Sequence, residues 1–407
     1  MKKHAYFILL LISAPLLYCA SSAHEVRNTS AHMSSALDSV YPFLNLAADS
    51  VTGSEYLAPF FAKLLELEQN NNRIISIVHC GDSHIQADIM TEELRSLMQR
   101  QFGNAGRGLI FPHRTARSNE PYNFQSTTTG EWKQVSIVSR ERVCEPGIAT
   151  RSIFTTDTAA ALSITLKNDY FQKMTVFAPK GEQFCDFSVE STSEELLSSQ
   201  SPNNTFTFTK LCNNFTIKPI QRDSSAKEFR LYGICLQNDS THGVLYHSMG
   251  SNGAHLQQYN NAPEFFAQLP QLHADIIIVS LGTNEGAARD ITKEIVYNNA
   301  VQMITNIRRE QPEISILLTT PTHNFYLKKY PNQRIKIVRE GLLQAAADMH
   351  CGIIDLYTIG GGEGSCYKWK AQALLRADGV HYSGTGYRLQ GNLIYNALLH
   401  SYAHYAH

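Results

Sequence analysis

The stretch SIVHCGDSHIQADIM, residues 76–90, decides how this sequence is interpreted. Its apolar run predicts a buried strand, and from Ile89 to Phe102 apolar residues recur at helical spacing. Between the two lies the corner Gly-Asp-Ser-His at 81–84. This corner is either an ordinary turn, with glycine bending the chain and Asp or Ser capping the helix, or a site that presents Ser83 to a substrate.

The composition narrows the classes of protein. The chain has 407 residues, of which 43% are hydrophobic, so sizeable cores are expected. Its net charge of −1 argues against a nucleic-acid partner that relies on a strongly basic surface. Beyond the N-terminal region no stretch approaches the ~18 consecutive apolar residues of a membrane helix. We therefore expect no integral membrane segment in the mature chain.

Residues 1–23 have the pattern of an export signal. Two lysines near the start precede an apolar stretch from Ala5 to Tyr18, and the small-residue segment CASSA at 19–23 offers a cleavage site. A lipid anchor on Cys19 is the less favoured alternative, because Tyr18 is larger than the residue that usually precedes a lipidated cysteine. The predicted location is the periplasm or the cell surface.

Segments 74–110 and 243–407 alternate continuous apolar strands with amphipathic helical patterns. That alternation is typical of an α/β fold whose parallel sheet is covered on both faces. The predicted strands are residues 74–80, 243–249, 274–281, 314–320 and 351–357.

Residues 115–242 have a different sequence pattern, in which short segments of alternating apolar and polar residues are separated by Asn, Ser, Gly and Pro. This spacing predicts an antiparallel β-sandwich. The segment falls between the first and second strands of the α/β part, so we predict an inserted domain. The predicted organisation is a signal peptide (1–23), a helical lead-in with the first part of the α/β domain (24–114), the insert (115–242) and the second part of the α/β domain (243–407).

Four cysteines lie in the middle third of the chain, namely Cys144, Cys185, Cys212 and Cys235. One or two disulfides among them would suit an oxidising compartment. Cys80, in an apolar strand, is predicted to be a buried thiol. The cysteine spacings match no zinc pattern, so no structural metal is expected.

Four polar blocks stand after predicted strands or before the last helix. In an open α/β sheet, ligands bind outside the carboxyl ends of the strands. Each block alone is ordinary turn or capping chemistry, but together they fit one mechanism. The blocks are Gly81-Asp82-Ser83-His84, Gly250-Ser251-Asn252-Gly253, Gly282-Thr283-Asn284 and Asp378-Gly379-Val380-His381.

That mechanism is acyl transfer through a serine. Ser83 is the candidate nucleophile, His381 the base that removes its proton, and Asp378 the group that orients the histidine. The oxyanion of the tetrahedral intermediate needs donors already aimed at it, and the backbone N–H groups of Ser83 and Gly250 and the side-chain amide of Asn284 could supply them. No metal or organic cofactor is required.

These blocks, in this order, resemble those of SGNH (GDSL-type) hydrolases over roughly 74–110 and 243–400. The resemblance implies a three-layer α/β/α flavodoxin-like domain and the roles just given. His84 departs from the small or apolar residue that usually follows the serine, and Glu285 replaces an Asp that commonly follows the asparagine. Either Gly250 or Gly253 could be the glycine donor; Gly250 is preferred because the two residues after it fit the family pattern.

A closer resemblance is to bacterial peptidoglycan O-acetylesterases that contain an inserted β-sandwich like a carbohydrate-binding module. It rests on GDSHIQAD, GNAGRG (103–108) and GSNGA. It implies an exported esterase that removes acetyl groups from peptidoglycan, with Arg107 contacting a carboxylate of the glycan as a further hypothesis. The alternatives are an esterase of acetylated xylan or host glycans, an O-acetyltransferase, and an inactive glycan-binding protein.

Overall fold

The computed structural model describes residues 37–192, 196–198, 204–221 and 223–406. The predicted signal peptide and Cys19 lie outside the described residues. No helix within the described ranges is long and apolar enough to cross a membrane.

The structure contains 21 strands within these ranges. They are β1 (Val51–Thr52), β2 (Ile74–Gly81), β3 (Asn104–Gly106), β4 (Gly108–Ile110), β5 (Phe124–Thr129), β6 (Lys133–Ser136), β7 (Arg151–Thr155), β8 (Ala161–Leu166), β9 (Phe171–Phe177), β10 (Asp186–Glu190), β11 (Leu196–Ser198), β12 (Thr205–Cys212), β13 (Asn214–Ile220), β14 (Phe229–Leu231), β15 (Gly233–Gln237), β16 (Gly243–Gly250), β17 (Ile276–Ser280), β18 (Ser315–Thr319), β19 (Phe325–Tyr326), β20 (Tyr330–Pro331) and β21 (Gly352–Ile354).

The helices alternate with the strands mainly in the first and last parts of the chain. They are α1 (Ala58–Asn70), α2 (Ser83–Gln86), α3 (Ile89–Phe102), α4 (Leu256–Asn260), α5 (Pro263–Gln268), α6 (Lys293–Glu310), α7 (Arg334–Asp348), α8 (Leu356–Ile359), α9 (Ser365–Ala371) and α10 (Gly384–Tyr405).

The central sheet has seven strands in the order β1-β21-β18-β17-β2-β16-β3. Every pairing in it is parallel except that of β1 with β21. Helices α1, α3 and α10 pack on one face, and α4 to α7 pack on the other. The predicted three-layer α/β/α arrangement is confirmed, and all five predicted strands belong to this sheet.

Strand β2 is mostly apolar because both of its faces are buried. Ile75 and Ile77 point into the core under one helical layer, whereas Val78 and Cys80 point into the core on the opposite face. Because side chains alternate across a strand, a strand buried on both faces favours apolar residues on both, and the buried Ser76 and His79 of β2 are hydrogen-bonded within the fold. The polar residues that follow at its carboxyl end are therefore exceptional.

The middle of the chain forms three antiparallel sheets, in the orders β10-β13-β8-β5, β11-β12-β9-β15-β4 and β14-β7-β6. This is the β-rich region. Strand β4, at 108–110, belongs to one of these sheets through its pairing with β15. It lies before residue 115, the predicted start of the insert. The predicted domain boundaries themselves stay predictions.

The expectation of disulfides in the middle third is wrong for this structure. Cys144, Cys185 and Cys235 are free thiols, and the Sγ of Cys212 lies 3.6 Å from the carbonyl oxygen of Lys210. Burial raises the pKa of Cys235 to about 12, which keeps it in the unreactive thiol form.

Asp49 gives the fold a pH-dependent stability. It is buried beside α10, where Nδ1 of His400 lies 3.3 Å from its backbone carbonyl oxygen. Burial raises the pKa of its carboxyl group from 3.8 to about 8, so the folded state binds a proton that the unfolded chain releases near pH ~4. The resulting stabilisation is complete in acid and is lost as the pH rises through the folded-state pKa.

We expect the free energy of unfolding of the wild type to fall, relative to Asp49→Asn, as the pH rises from about 4 to about 8. One proton contributes at most about 1.4 kcal/mol per pH unit. Urea unfolding of both proteins at several pH values measures the difference. The exposed Asp290→Asn change is the matched control and should show no such trend. A gap for Asp49→Asn that does not vary with pH would contradict this account.

Candidate active site

Ser83 stands at the carboxyl end of β2, as the first residue of the short helix α2. The carboxylate of Asp82 caps this turn by accepting the backbone N–H of His84 at 2.9 Å. Since Asp82 does the capping, the Ser83 hydroxyl is free for another partner. Its Oγ lies 2.9 Å from Nε2 of His381, far along the sequence.

Asp378 holds the other side of the His381 ring. Its Oδ1 accepts the backbone N–H groups of Val380 and His381, both at 2.8 Å, and its Oδ2 lies 3.1 Å from His381 Nδ1. Burial alone would raise the pKa of Asp378, but these hydrogen bonds outweigh burial and leave it below its usual range. An ionised Asp378 keeps the proton on Nδ1, so that Nε2 can accept the Ser83 proton.

Gly250 ends β16 and lies beside Gly81 in the parallel ladder. A Cβ on Gly250 would come within 2.1 Å of the backbone nitrogen of Gln86 and 2.6 Å of the backbone oxygen of Asp82. The close approach of two backbones therefore requires glycine here. Gly253 has a φ of +78°, and a Cβ added there would meet no atom within 4 Å. Glycine is therefore favoured at 253 by the backbone conformation and not by close packing.

Asn284 follows β17 and faces the same corner. Its amide Nδ2 lies 2.9 Å from the carbonyl oxygen of Ala254 and 3.3 Å from Oδ2 of Asp82. Both N–H groups of the amide thus have acceptors within the protein. If Asn284 donated a hydrogen bond to a substrate oxyanion, it would give up the longer of these two bonds, the one to Asp82.

The structure thus brings together the five residues singled out from the sequence. Ser83, Asp378 and His381 form a hydrogen-bonded relay, and Gly250 and Asn284 lie against Asp82, the residue before the serine. The arrangement can activate a serine hydroxyl for attack on a carbonyl carbon.

Comparisons with known proteins bear on the fold that carries these residues. The sequence profile of the GDSL-like Lipase/Acylhydrolase family matches residues 232–389. The chain carries a GDSL-like lipase/acylhydrolase domain. The resemblance to SGNH hydrolases is confirmed, and the match supports an esterase or acylhydrolase activity for this chain.

Among solved structures, that of a peptidoglycan O-acetylesterase superposes with a TM-score of 0.67 at 21% identity, covering 84% of this chain and 95% of that one. A lipase/acylhydrolase from Enterococcus faecalis is 23% identical with a TM-score of 0.31, covering 39% of this chain and 77% of that one. An acetyl xylan esterase is 19% identical with a TM-score of 0.31, covering 38% of this chain and 81% of that one. None of the curated proteins matches the sequence.

His84, the unusual residue of the GDSL-like motif, is buried against the corner that holds Ser83 and His381. Its ring centroid lies 5.3 Å from that of His381 and 5.2 Å from that of Tyr382, and its Nδ1 lies 3.2 Å from the hydroxyl of Tyr387. Burial, aided by the nearby His381, lowers the pKa of His84 to about 3. A neutral ring therefore supports the His381 imidazole at working pH.

A polar cluster on the opposite side of Ser83 was not predicted. The side chain of Gln86 accepts the backbone N–H of Asn252 at 2.8 Å and donates to Ser118 Oγ at 2.8 Å and to the Asn119 carbonyl at 2.7 Å. Gln86 belongs to the same motif as Ser83, so the motif itself was the available signal. Arg151, from the β-rich region, reaches the same Gln86 oxygen at 3.4 Å and had no signal in the sequence.

The hypothesis that Arg107 contacts the substrate is wrong. Arg107 is buried, and its guanidinium donates to Asp88 at 2.7 Å, to Asn123 at 2.8 Å and to Asp169 at 3.2 Å. The charge of the guanidinium is therefore already neutralised within the fold. Within the described ranges, no group of three or more His, Cys, Asp or Glu side chains is placed to hold a metal ion.

We expect Gly250→Ala to lower kcat on a small acetate ester by about 10²-fold, the scale of losing one oxyanion donor. The reason is the backbone clash that an added Cβ would make. Gly253→Ala is the matched control, and it should cost about 1–2 kcal/mol of stability through its positive φ while leaving kcat within a few-fold. Steady-state kinetics and thermal unfolding of both variants check this. A larger kcat loss for Gly253→Ala would assign the donor to that glycine.

We expect His84→Leu to fold, because an apolar side chain suits this buried position, but to lower kcat by about tenfold. The loss is smaller than the ~10²-fold cost of misplacing a catalytic group by ~1 Å. Tyr387→Phe removes only the hydroxyl that contacts His84 and should give part of the same loss. Kinetics of both single variants and the double variant test this; full additivity or a wild-type kcat for His84→Leu would contradict it.

Proposed function

We propose that this protein is an exported serine carbohydrate esterase that removes O-acetyl groups from peptidoglycan. The observation that carries the proposal is the hydrogen-bonded series Ser83–His381–Asp378 at the carboxyl end of the central sheet. In this proposal those three residues are catalytic, and the Ser83 N–H, the Gly250 N–H and the Asn284 amide bind the oxyanion.

The chemistry proceeds through an acyl-enzyme. Ser83 Oγ attacks the acetyl carbonyl carbon while His381 Nε2 takes its proton, and the oxyanion forms against the donors. The imidazolium then gives that proton to the departing sugar hydroxyl, leaving acetyl on Ser83. Water, deprotonated by His381, attacks the acetyl-enzyme, and acetate leaves as Ser83 regains its proton. Asp378 stabilises the imidazolium in both halves.

Two parts of the chain outside the Ser83–His381–Asp378 series favour a glycan of the cell wall as the substrate. The β-rich region joins the GDSL-like domain next to the site, as a sugar-binding module would, and the solved peptidoglycan O-acetylesterase matches over both parts. The export pattern of residues 1–23 fits a cell-wall substrate and a periplasmic or cell-surface location. The partner in this proposal is an acetylated glycan.

Acetate release from O-acetylated peptidoglycan tests the proposal. We expect release by the wild type and a loss on the order of 10⁴-fold or more in Ser83→Ala. Ser188→Ala, on β10 of the β-rich region, is the matched control and should keep full activity.

Acetylated xylan and a small activated acetate ester belong in the same assay. Ser83-dependent release from xylan or the small ester alone would keep the esterase mechanism and contradict the peptidoglycan assignment. Folded protein without Ser83-dependent release from any of the three would contradict the esterase proposal itself.

A further inference from the structure

The β-rich region reaches the corner that holds Ser83. Its strands β6 and β7 pair, with Ser136 opposite Arg151. The hydroxyl of Ser136 lies 3.4 Å from that of Ser251, the residue after Gly250. The edge formed by β6 and β7 is therefore packed against the glycine block of the site.

Arg151, the first residue of β7, is a buried cation without an anionic partner. It is 5% exposed, and its hydrogen bond from Nη2 to Gln86 Oε1 is 3.4 Å long. Nε is buried without a hydrogen-bond partner, and among the described residues no carboxylate forms an ion pair with it. The other buried arginines near the site, Arg95 and Arg107, are both neutralised by Asp88.

A buried charge that is not neutralised costs folding free energy. Burial lowers the pKa of Arg151 to about 10, so the guanidinium still carries its charge at neutral pH. Since no carboxylate among the described residues neutralises this charge, we look for its role in the reaction.

The partner of Arg151 connects it to the predicted oxyanion donors. Gln86 Oε1, which Arg151 contacts, also accepts the backbone N–H of Asn252 at 2.8 Å. The backbone of Gln86 packs on Gly250, and Gln86 is one helical turn beyond Ser83. Through Gln86, the guanidinium is therefore connected to the end of β16 and to α2. These two elements carry the backbone N–H groups near which negative charge would develop.

We propose that Arg151 is a positioning residue which the β-rich region contributes to the esterase site. Through Gln86 it fixes the loop from Gly250 to Asn252, and its positive charge stabilises the oxyanion formed when Ser83 attacks the ester. Because Arg151 is buried, its fixed positive charge acts more strongly than it would in solvent. This inference rests on the proposed acyl transfer, and it makes the β-rich region part of the catalytic unit in addition to any role in glycan binding.

The test compares Arg151→Met with Arg151→Lys in the full protein, using a small neutral acetate ester as substrate. Met and Lys have similar length, so the pair differs mainly in charge. We expect Arg151→Met to lower kcat by about tenfold or more, below the ~10²–10³-fold loss of a direct oxyanion donor, with KM within about twofold. Arg151→Lys should retain more of the activity. The unfolding temperature of Arg151→Met should equal or exceed that of the wild type, because an uncompensated buried charge is removed.

Arg230→Met is the matched control, since Arg230 lies on β14 of the same sheet and is paired with Glu228. It should leave kcat unchanged. The inference is overturned if Arg151→Met keeps wild-type kcat, if Lys is as slow as Met, or if the loss of kcat accompanies a clear drop in unfolding temperature. A change confined to KM for anionic glycans would assign Arg151 to substrate binding instead.

The neutral ester separates this inference from the proposed substrate. If peptidoglycan proves to be the wrong glycan, the ester still reports on Arg151. If the wild type shows no Ser83-dependent hydrolysis of the ester, acyl transfer itself fails, and the role of Arg151 fails with it.

Discussion

The contact between Ser83 Oγ and His381 Nε2 is the constraint on which the site depends. Its two partners come from the first buried strand of the central sheet and from the loop before the last helix. To hold them 2.9 Å apart, the sheet must place β2 among its inner strands, and α10 must pack back across the face that also carries α3. The capping of α10 by Ser383, whose hydroxyl accepts the N–H of Gly386, fixes the end of that loop.

The sequence was sufficient for the parts of the fold that repeat a pattern. Mainly apolar runs marked five of the six strands that pair in parallel, because those five strands are buried on both faces. The polar blocks at their ends stood out against that background, and the structure places Ser83, Gly250, Asn284, Asp378 and His381 at one corner. For these five residues, the blocks recognised in the sequence are also neighbours in the folded chain.

Where burial does not follow a simple period, sequence reasoning failed. Strand β5, FQSTTT, is mostly polar, and β7, RSIFT, is buried at every position despite an arginine and a serine, so neither was predicted. The disulfide expectation failed because cysteine content and an export signal do not determine which thiols face each other. Arg107 and Arg151 look alike in the sequence, and only the positions of Asp88 and Gln86 distinguish a neutralised arginine from an uncompensated one.

The pairing of β4 with β15 ties the β-rich region to the chain segment that leads out of the central sheet. Strand β15 leads within a few residues into β16 of the central sheet, and the apolar residues of both sheets form one continuous cluster that includes Leu109, Ile234 and Leu245. Removal of the middle segment would expose apolar surface of the α/β part to solvent. The removed segment would in turn lack β4, the edge strand that pairs with β15. A substitution that changes the volume of a residue in this cluster would therefore disturb the packing of both sheets.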